Sequence, residues 1–209
     1  GAKVSDKIEV IKKLSAKADA LIIGGAMIFT FFRAMGKETG KSLVEKDKLD
    51  LAKKLLKNSH ERLMLPVDVV VAKKPSEDSE AKNVAIDNIP KNMMGLDIGD
   101  ESIRIFSSVL EKAKTVVWNG PLGMFEIKKF AKGTREIAKK LSSIKAKTII
   151  GGGDSAAAIS MMKLEDKMTH VSTGGGASLE FLEGKKLPAL KALEKKYNKV
   201  KKETEKKNR

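Results

Sequence analysis

Cysteine is absent from the 209 residues, and histidine and aromatic residues are sparse. Without cysteine the chain can form no disulfide, no metal–thiolate site and no cysteine nucleophile. Only two histidines are present and no H-E-x-x-H motif occurs, which argues against a histidine-based metal hydrolase. An aromatic share of 4% beside a hydrophobic share of 41% indicates a core built mainly from aliphatic side chains.

Long apolar runs are also lacking. None reaches the length needed to cross a membrane, and the first residues do not have the layout of a signal peptide. We therefore expect a cytoplasmic protein without a membrane span, and we expect it to be monomeric. The net charge is +15, of which residues 185–209 supply +8. We divide the chain accordingly into a domain over 1–186 and a lysine-rich helix or tail over 187–209.

Glycine, in contrast, is abundant where apolar runs end. The stretch T-I-I-G-G-G-D-S at 148–155 joins a β-branched run to three glycines, an acid, a hydroxyl and then helix formers. Such a strand-to-helix turn lets a ligand approach the backbone, and a helix opening at Asp154 or Ser155 would direct N–H groups at a phosphate. An acid at this place suits a cation held between Asp154 and the phosphates. Similar glycine-ended runs lie at 21–26, 116–121 and 170–176.

The order of predicted elements indicates the fold class. Strands and helices alternate strictly over 115–183, which is typical of a three-layer, doubly wound parallel sheet of Rossmann-like type with helices on both faces. We predict a first helix over 6–18 capped by Ser5, a helix buried nearly all round at 27–35, and a compact turn at 94–99. Leucines and other apolar residues spaced by three or four over 187–200 predict an amphipathic helix in the tail.

Common motifs of other nucleotide-binding and hydrolytic classes are missing. Gly40-Lys41-Ser42 resembles the end of a P-loop, but that motif needs a glycine where Met35 stands. No glycine run has G-x-G-x-x-G spacing, and no G-x-S-x-G elbow occurs. The remaining hypothesis is a site that binds phosphate through lysines and magnesium. Lys3 and Lys7 are candidates for it, because they lie four residues apart on one face of the predicted first helix. Taken singly, Lys3 and Lys7 are equally compatible with solvated surface lysines, Asp154 with a simple helix cap and Glu126 with a surface acid.

Taken together, seven motifs resemble the C-terminal, nucleotide-binding half of phosphoglycerate kinase. They occur in order from Gly1 to about Leu193. Their sequences are G-A-K-V-S-D-K-I (1–8), I-I-G-G-A-M (22–27), L-P-V-D (65–68), M-G-L-D-I-G (94–99), V-V-W-N-G-P-L-G-M-F-E (116–126), G-G-G-D-S-A-A-A (151–158) and H-V-S-T-G-G-G-A-S-L-E (170–180). The resemblance implies an α/β domain that binds ADP or ATP with magnesium.

Roles for single residues follow from the same resemblance. It implies that Lys3 and Lys7 reach the phosphates and that Lys7, with Gly175 and Gly176, faces the group in transfer. It implies that Asp154 contacts magnesium. The nucleotide-binding positions it implies are Gly24, Gly25, Gly95, Leu96, Asn119, Pro121, Met124, Glu126, Gly152, Gly153, Asp154 and Ser155. Among these, the glycines at 24, 25 and 95 are expected to leave room for the adenine, and Met124 replaces the valine common in the family.

Two departures from the family bear on function. The half that binds phosphoglycerate is absent from this chain, so we expect nucleotide binding with little or no turnover unless that half is supplied in cis or in trans. The lysine-rich tail continues beyond the family's usual end. It leaves open an alternative function, a non-catalytic module that binds nucleotide or recruits a polyanion, a membrane surface or an acidic protein. Specific nucleic-acid recognition is disfavoured because no aromatic stacking platform accompanies the tail.

Overall fold

The fold is described from a computed structural model that covers residues 1–59, 62–172, 174 and 176–207. Within these ranges the strands are β1 Leu21–Ile22, β2 Leu63–Met64, β3 Asp68–Ala72, β4 Ala81–Ala85, β5 Met94–Ile98, β6 Thr115–Asn119, β7 Lys147–Gly151 and β8 His170–Val171. The α-helices are α1 Ile8–Ser15, α2 Ile28–Ala34, α3 Leu49–Asn58, α4 Asp100–Glu111, α5 Lys132–Ser143, α6 Gly153–Met161, α7 Gly176–Leu182 and α8 Pro188–Lys207.

Parallel strands form two of the three sheets. β6, β7 and β8 pair in that order, and each is followed along the chain by a helix. β1 pairs with β2, also in parallel. The predicted α/β class with parallel sheets is therefore confirmed. The alternation of strand and helix over 115–183 corresponds to parallel pairing of β6, β7 and β8, because a crossover helix is needed to return the chain for each parallel strand.

The third sheet is antiparallel, which the sequence analysis did not predict. β3 lies between β4 and β5 and runs antiparallel to both. The compact turn expected at 94–99 is wrong, since residues 94–98 form β5. Its glycines suggested a turn, but Gly95 and Gly99 instead allow neighbouring side chains to approach the strand closely.

The first helix is shorter than predicted and begins differently. A 3₁₀ turn over Ser5–Lys7 precedes α1, which ends at Ser15 rather than at 18. Ser5 does not cap this helix. Its hydroxyl donates to Glu45 Oε1 at 2.5 Å, and the Val4 and Ser5 N–H groups donate to Glu45 Oε2, so a side chain distant in sequence anchors the start of the turn.

Two aliphatic and aromatic clusters make up most of the core. One surrounds α2, whose Phe29, Phe31 and Phe32 are at most 2% exposed, as expected for a helix predicted to be buried nearly all round. The other packs α4 and α5 against the β6–β7 pair. The loops that follow the carboxyl ends of β1, β6 and β7 lie outside these two clusters and meet at a common edge.

Candidate functional site

A cleft of about 220 Å³ lies at this edge, among loops that are far apart in sequence. Seven of the predicted nucleotide-binding residues line it: Gly25, Gly95, Leu96, Pro121, Met124, Glu126 and Asp154. Ile28 and Phe29 of α2 contribute apolar surface, and Asp97 of β5 contributes a carboxyl group. One end of the cleft is thus mainly apolar, whereas exposed Asp154 marks the polar end.

The loop that follows β6 joins the walls of the cleft. Its Leu122 carbonyl accepts a hydrogen bond from Gly25 N at 2.9 Å, and its Met124 N–H donates to Leu96 O at 2.8 Å. The Leu122 N–H donates to Thr134 Oγ1 in α5 at 3.0 Å. These bonds place Pro121, Met124 and Glu126 beside the ends of β1 and β5, although a hundred residues separate Gly25 from that loop.

Two glycines that the family resemblance places at the adenine lie against protein side chains. A Cβ on Gly95 would lie 1.9 Å from Phe29 Cζ, and a Cβ on Gly24 would lie 2.1 Å from Leu122 Cδ2. Phe29 and Leu122 both line the cleft, so these glycines shape its floor through their neighbours. Gly153 differs, because a Cβ there would meet no atom of the described residues within 4 Å.

A lysine and an amide meet close to the cleft, although neither is part of its lining. Lys7 Nζ donates to Asn119 Oδ1 at 2.6 Å. Asn119 Nδ2 is buried without a hydrogen-bond partner in the part of the chain that is described, and a Cβ on Gly152 would lie 3.2 Å from it. Burial lowers the pKa of Lys7, while the carboxylates of Asp6, Asp154 and Glu183 act in the opposite direction. The unused Asn119 Nδ2 donor and the partly desolvated Lys7 ammonium group therefore lie near the glycine turn after β7.

The turn after β7 differs in detail from the prediction. α6 begins at Gly153, with Gly152 at φ 89° in the preceding position, and no side chain caps it. The expectation of a cap at Asp154 or Ser155 is wrong because both already lie in the first helical turn. Ser155 is buried and its Oγ accepts a hydrogen bond from Gly120 N at 2.6 Å, which ties α6 to the loop after β6. The first N–H groups of α6 thus remain available to an anion.

The remaining candidates are less closely joined to the cleft. Lys3 is exposed and precedes the 3₁₀ turn, so it does not share a helix face with Lys7 as predicted. Among the described residues, Lys3 makes no hydrogen bond or ion pair with the other candidates. Gly176 opens α7. Gly175 lies outside the described residues.

Sequence reasoning missed Asp97, although this residue lines the cleft. It is 3% exposed, its Oδ2 accepts from Gly133 N at 2.7 Å, and its Oδ1 accepts from Ile98 N at 2.9 Å. Burial raises its pKa to about 7, even though these hydrogen bonds and nearby Lys132 and Arg135 act to lower it. The available signal was an acid inside the apolar run L-D-I, where a carboxylate is costly.

The described residues contain no group of three or more histidine, aspartate or glutamate side chains that could enclose a metal ion. Asp154 is a single exposed carboxylate beside free helix N–H groups. Such a donor set fits a magnesium ion that shares its ligands with bound phosphates and water, because Mg²⁺ commonly takes only one or two protein carboxylates.

Comparison with known proteins identifies the family. The sequence profile of phosphoglycerate kinase matches residues 1–185. The chain belongs to the phosphoglycerate kinase family. It is 56% identical over 197 residues to a phosphoglycerate kinase of Finegoldia magna, covering 93% of this chain and 50% of the relative. It is 58% identical over 194 residues to one of Fusobacterium nucleatum, covering 92% of this chain and 49% of the relative.

Solved phosphoglycerate kinases share the fold. The enzyme from Coxiella burnetii superposes with a TM-score of 0.88 at 45% identity, covering 91% of this chain and 50% of that one. The enzyme from Pyrococcus horikoshii superposes with a TM-score of 0.83 at 32% identity, covering 95% of this chain and 51% of that one. The Rossmann-like class is thereby confirmed. The chain spans about half the length of the phosphoglycerate kinases it matches.

In the described part of the chain, every helix is too short or too polar to cross a bilayer.

Proposed function

We propose that this chain is the nucleotide-binding half of a phosphoglycerate kinase and binds ADP or ATP with magnesium in the cleft. The observation that carries the proposal is the polar end of the cleft. Beside that end, Lys7 donates to Asn119, and Asn119 lies against Gly152, next to the open start of α6 at Gly153. Among the described residues, Asn119 Nδ2 has no hydrogen-bond partner. A cation, an unused donor and free helix N–H groups all favour phosphate.

The other end of the cleft has the surface that a nucleoside needs. Leu96, Met124 and Phe29 offer apolar contacts to a flat base, and exposed Glu126 offers carboxylate oxygens to ribose hydroxyls. The cleft thus has an apolar end and a phosphate-binding end, as expected for a nucleotide site. We propose residues 1–186 as the domain that holds this site and 187–209 as a separate segment.

The proposed reaction transfers a phosphoryl group between an acyl phosphate, 1,3-bisphosphoglycerate, and ADP, giving 3-phosphoglycerate and ATP. Such a reaction requires positioning and neutralisation of charge more than acid–base catalysis. Lys7 would hold the group in transfer, and the N–H groups at the start of α6 would bind the nucleotide phosphates. Magnesium, held by Asp154 and the phosphates, would supply further positive charge when bound.

Turnover would also require a phosphoglycerate site. We propose that it belongs to the half of the family's length that this chain does not span, joined in cis or acting in trans. The working state that we propose is cytoplasmic, with one nucleotide per chain and no need for a second copy.

Isothermal titration calorimetry with ADP, with and without magnesium, tests the proposal. Removing the charge of Lys7 or Asp154 should weaken magnesium–ADP binding by roughly 10- to 100-fold, because each makes a charge-assisted contact. Asp154→Asn should also abolish most of the gain in affinity that magnesium brings. The variants are Lys7→Gln and Asp154→Asn.

Matched controls lie on the exposed 3₁₀ turn Glu165–Lys167. Lys167→Gln and Asp166→Asn make the same charge changes on exposed side chains, so they should leave the affinity unchanged. Equal affinities for wild type, the two site variants and the two controls would refute the proposed site.

A further inference from the structure

Glu45 is a carboxylate that the proposed site does not use, although it contacts the segment that leads to Lys7. The residue is partly buried and directly precedes the 3₁₀ turn Lys46–Lys48. The Val4 N–H donates to Glu45 Oε2 at 2.5 Å, and the Ser5 N–H donates to the same oxygen at 3.2 Å. The Ser5 hydroxyl donates to Glu45 Oε1 at 2.5 Å. Both carboxylate oxygens are thus bonded to residues that lie 40 and 41 positions earlier in the chain.

The turn that Glu45 holds is the one that ends at Lys7. Val4 is fully buried, and its carbonyl accepts a hydrogen bond from the Lys7 N–H at 3.0 Å. The first two N–H groups of the segment 4–7 are therefore held by Glu45, and its last residue is Lys7. Lys7 Nζ in turn donates to Asn119 Oδ1 at 2.6 Å. A displacement of this turn would move the ammonium group that we assign to the phosphates.

Glu45 is itself attached to a helix that lines the cleft. Its N–H donates to Thr30 Oγ1 at 3.1 Å, and Thr30 is 1% exposed within α2. The first turn of the same helix carries Ile28 and Phe29, which line the cleft. Hydrogen bonds from N–H groups to a carboxylate are shorter and stronger than those between neutral groups. Glu45 therefore forms a firm connection between α2 and the turn that carries Lys7.

We propose that Glu45 is a positioning residue for phosphate binding, because it holds the turn at residues 4–7 so that the Lys7 ammonium group stays beside Asn119. The inference rests on the function proposed above, which gives Lys7 the phosphates as its ligand. Glu45 lies outside the lining of the cleft and acts through Lys7. Its effect on nucleotide affinity should therefore exist only while that ammonium group is present.

A double-mutant cycle on the whole 209-residue chain, measured by titration calorimetry with magnesium–ADP, tests the proposal. Glu45→Gln replaces one accepting oxygen by an NH₂ group, which must then face a donor. This change should weaken binding roughly five- to tenfold. In the Lys7→Gln background the same change should alter the affinity by less than about twofold, because the ammonium group that Glu45 positions is gone.

Glu38 provides a matched control in the same connection after α2. Its Oε1 accepts hydrogen bonds from the Thr39 and Gly40 N–H groups, both at 2.9 Å, so it too is a partly buried carboxylate that holds consecutive N–H groups. Glu38→Gln should lower the free energy of unfolding, as Glu45→Gln does, which urea unfolding measures. It should leave the affinity for magnesium–ADP unchanged, because the residues that Glu38 holds do not lead to Lys7.

Ser5→Ala tests the same contact from its other partner. It removes the hydroxyl bond to Glu45 Oε1 but leaves both backbone bonds, so it should weaken binding only about two- to threefold. Ser5→Thr keeps a hydroxyl and should bind like wild type. Because both changes are small, they remain measurable even where Glu45→Gln fails to fold.

The results separate this inference from the function on which it rests. Equal affinities for wild type and Lys7→Gln would overturn the proposed site and this inference together. A loss of affinity in Lys7→Gln, beside wild-type affinity in Glu45→Gln and Ser5→Ala, would overturn this inference alone. The same holds if Glu45→Gln weakens binding equally in wild type and in Lys7→Gln, because Glu45 would then act independently of Lys7.

Discussion

Glycines around the cleft have two different roles, which are distinguished by what a side chain at each would meet. At Gly95 the Cβ position is already occupied by the ring of Phe29. At Gly153, the first residue of α6, the Cβ position is open. The first glycine therefore serves the packing of α2 against β5, whereas the second borders open space at the start of α6.

Alanine at these two positions should have opposite consequences. Gly95→Ala should lower the free energy of unfolding by about 1–3 kcal/mol, the usual cost of overpacking. Gly153→Ala should leave stability unchanged or raise it by up to about 1 kcal/mol, yet weaken magnesium–ADP binding, because the methyl group enters the phosphate approach. Urea unfolding and calorimetry measure the two effects. Equal losses of stability would show that the distinction between packing and approach is mistaken.

At the scale of elements, two carboxylates of the antiparallel sheet bind the starts of the helices behind it. Asp68 of β3 accepts hydrogen bonds from the N–H groups of Glu101 and Ser102 in α4, at 3.0 and 2.8 Å. Asp97 of β5 does the same for Gly133 in α5. Burial acts to raise the pKa of Asp68, but its hydrogen bonds, including one from Asn83, outweigh it and lower the pKa. For Asp97 the effect of burial is larger than that of the hydrogen bonds, so its pKa is raised.

Asp97 should therefore make stability fall as the pH rises from about 4 to about 7. In this window the folded protein keeps the Asp97 proton, with a pKa of about 7, whereas the unfolded chain has already lost it. The full effect is about 4 kcal/mol, because folding raises the pKa of Asp97 to about 7 from its ordinary value of about 4. Urea unfolding across pH 4–8 measures it, and Asp97→Asn should remove this part of the slope.

The control for this measurement is Asp78→Asn, which makes the same change at an exposed position. Its pH profile should run parallel to that of wild type. Parallel profiles for wild type and Asp97→Asn would instead show that the Asp97 carboxyl ionises normally in the folded state. Asp68 acts with the opposite sign, since its lowered pKa adds stability that is lost only as the pH falls below about 4.

At the scale of the whole molecule, the chain has the family's fold over about half of the family's length. Residues from the loop after β1, α2, β5, the loop after β6 and the start of α6 all line the cleft. We therefore propose that this half alone binds the nucleotide. Transfer between two substrates requires both to be held in line, which needs the second site as well.

We accordingly expect the 209-residue chain to bind magnesium–ADP but to turn over phosphoglycerate at least roughly 1,000-fold more slowly than a two-domain family member. A coupled assay with ATP and 3-phosphoglycerate measures this difference. Adding a separately produced N-terminal half should restore part of the rate. Turnover by this chain alone at the rate of the two-domain enzyme would contradict the expectation.

Several features could be read from local patterns of residues. Alternation of strands and helices over 115–183 predicted parallel pairing, and a run of apolar residues predicted the buried α2. Glycine-ended strands predicted that candidate residues would share one edge, and seven of them line one cleft. These predictions succeed because they depend only on chain order and on the right-handed crossover between parallel strands. Those two features bring the loops at the carboxyl ends of the strands to one edge of the sheet, where ligands bind.

Other features depended on neighbours distant in sequence. Nothing local to 94–99 shows that it pairs with β3, that Gly95 receives Phe29, or that the Gly133 N–H donates to Asp97. The same holds for Ser155, whose local pattern predicts a helix cap but whose hydroxyl accepts from Gly120.

The sequence by itself thus determined the class of fold and the edge at which seven of the candidate residues meet. Only the tertiary structure decided which glycines face solvent, which carboxyl is buried and how the first turn is anchored by Glu45. The reason is physical. Backbone propensity and hydrophobic period act over a few neighbouring residues, whereas burial, pKa and steric fit are set by groups that only folding brings together.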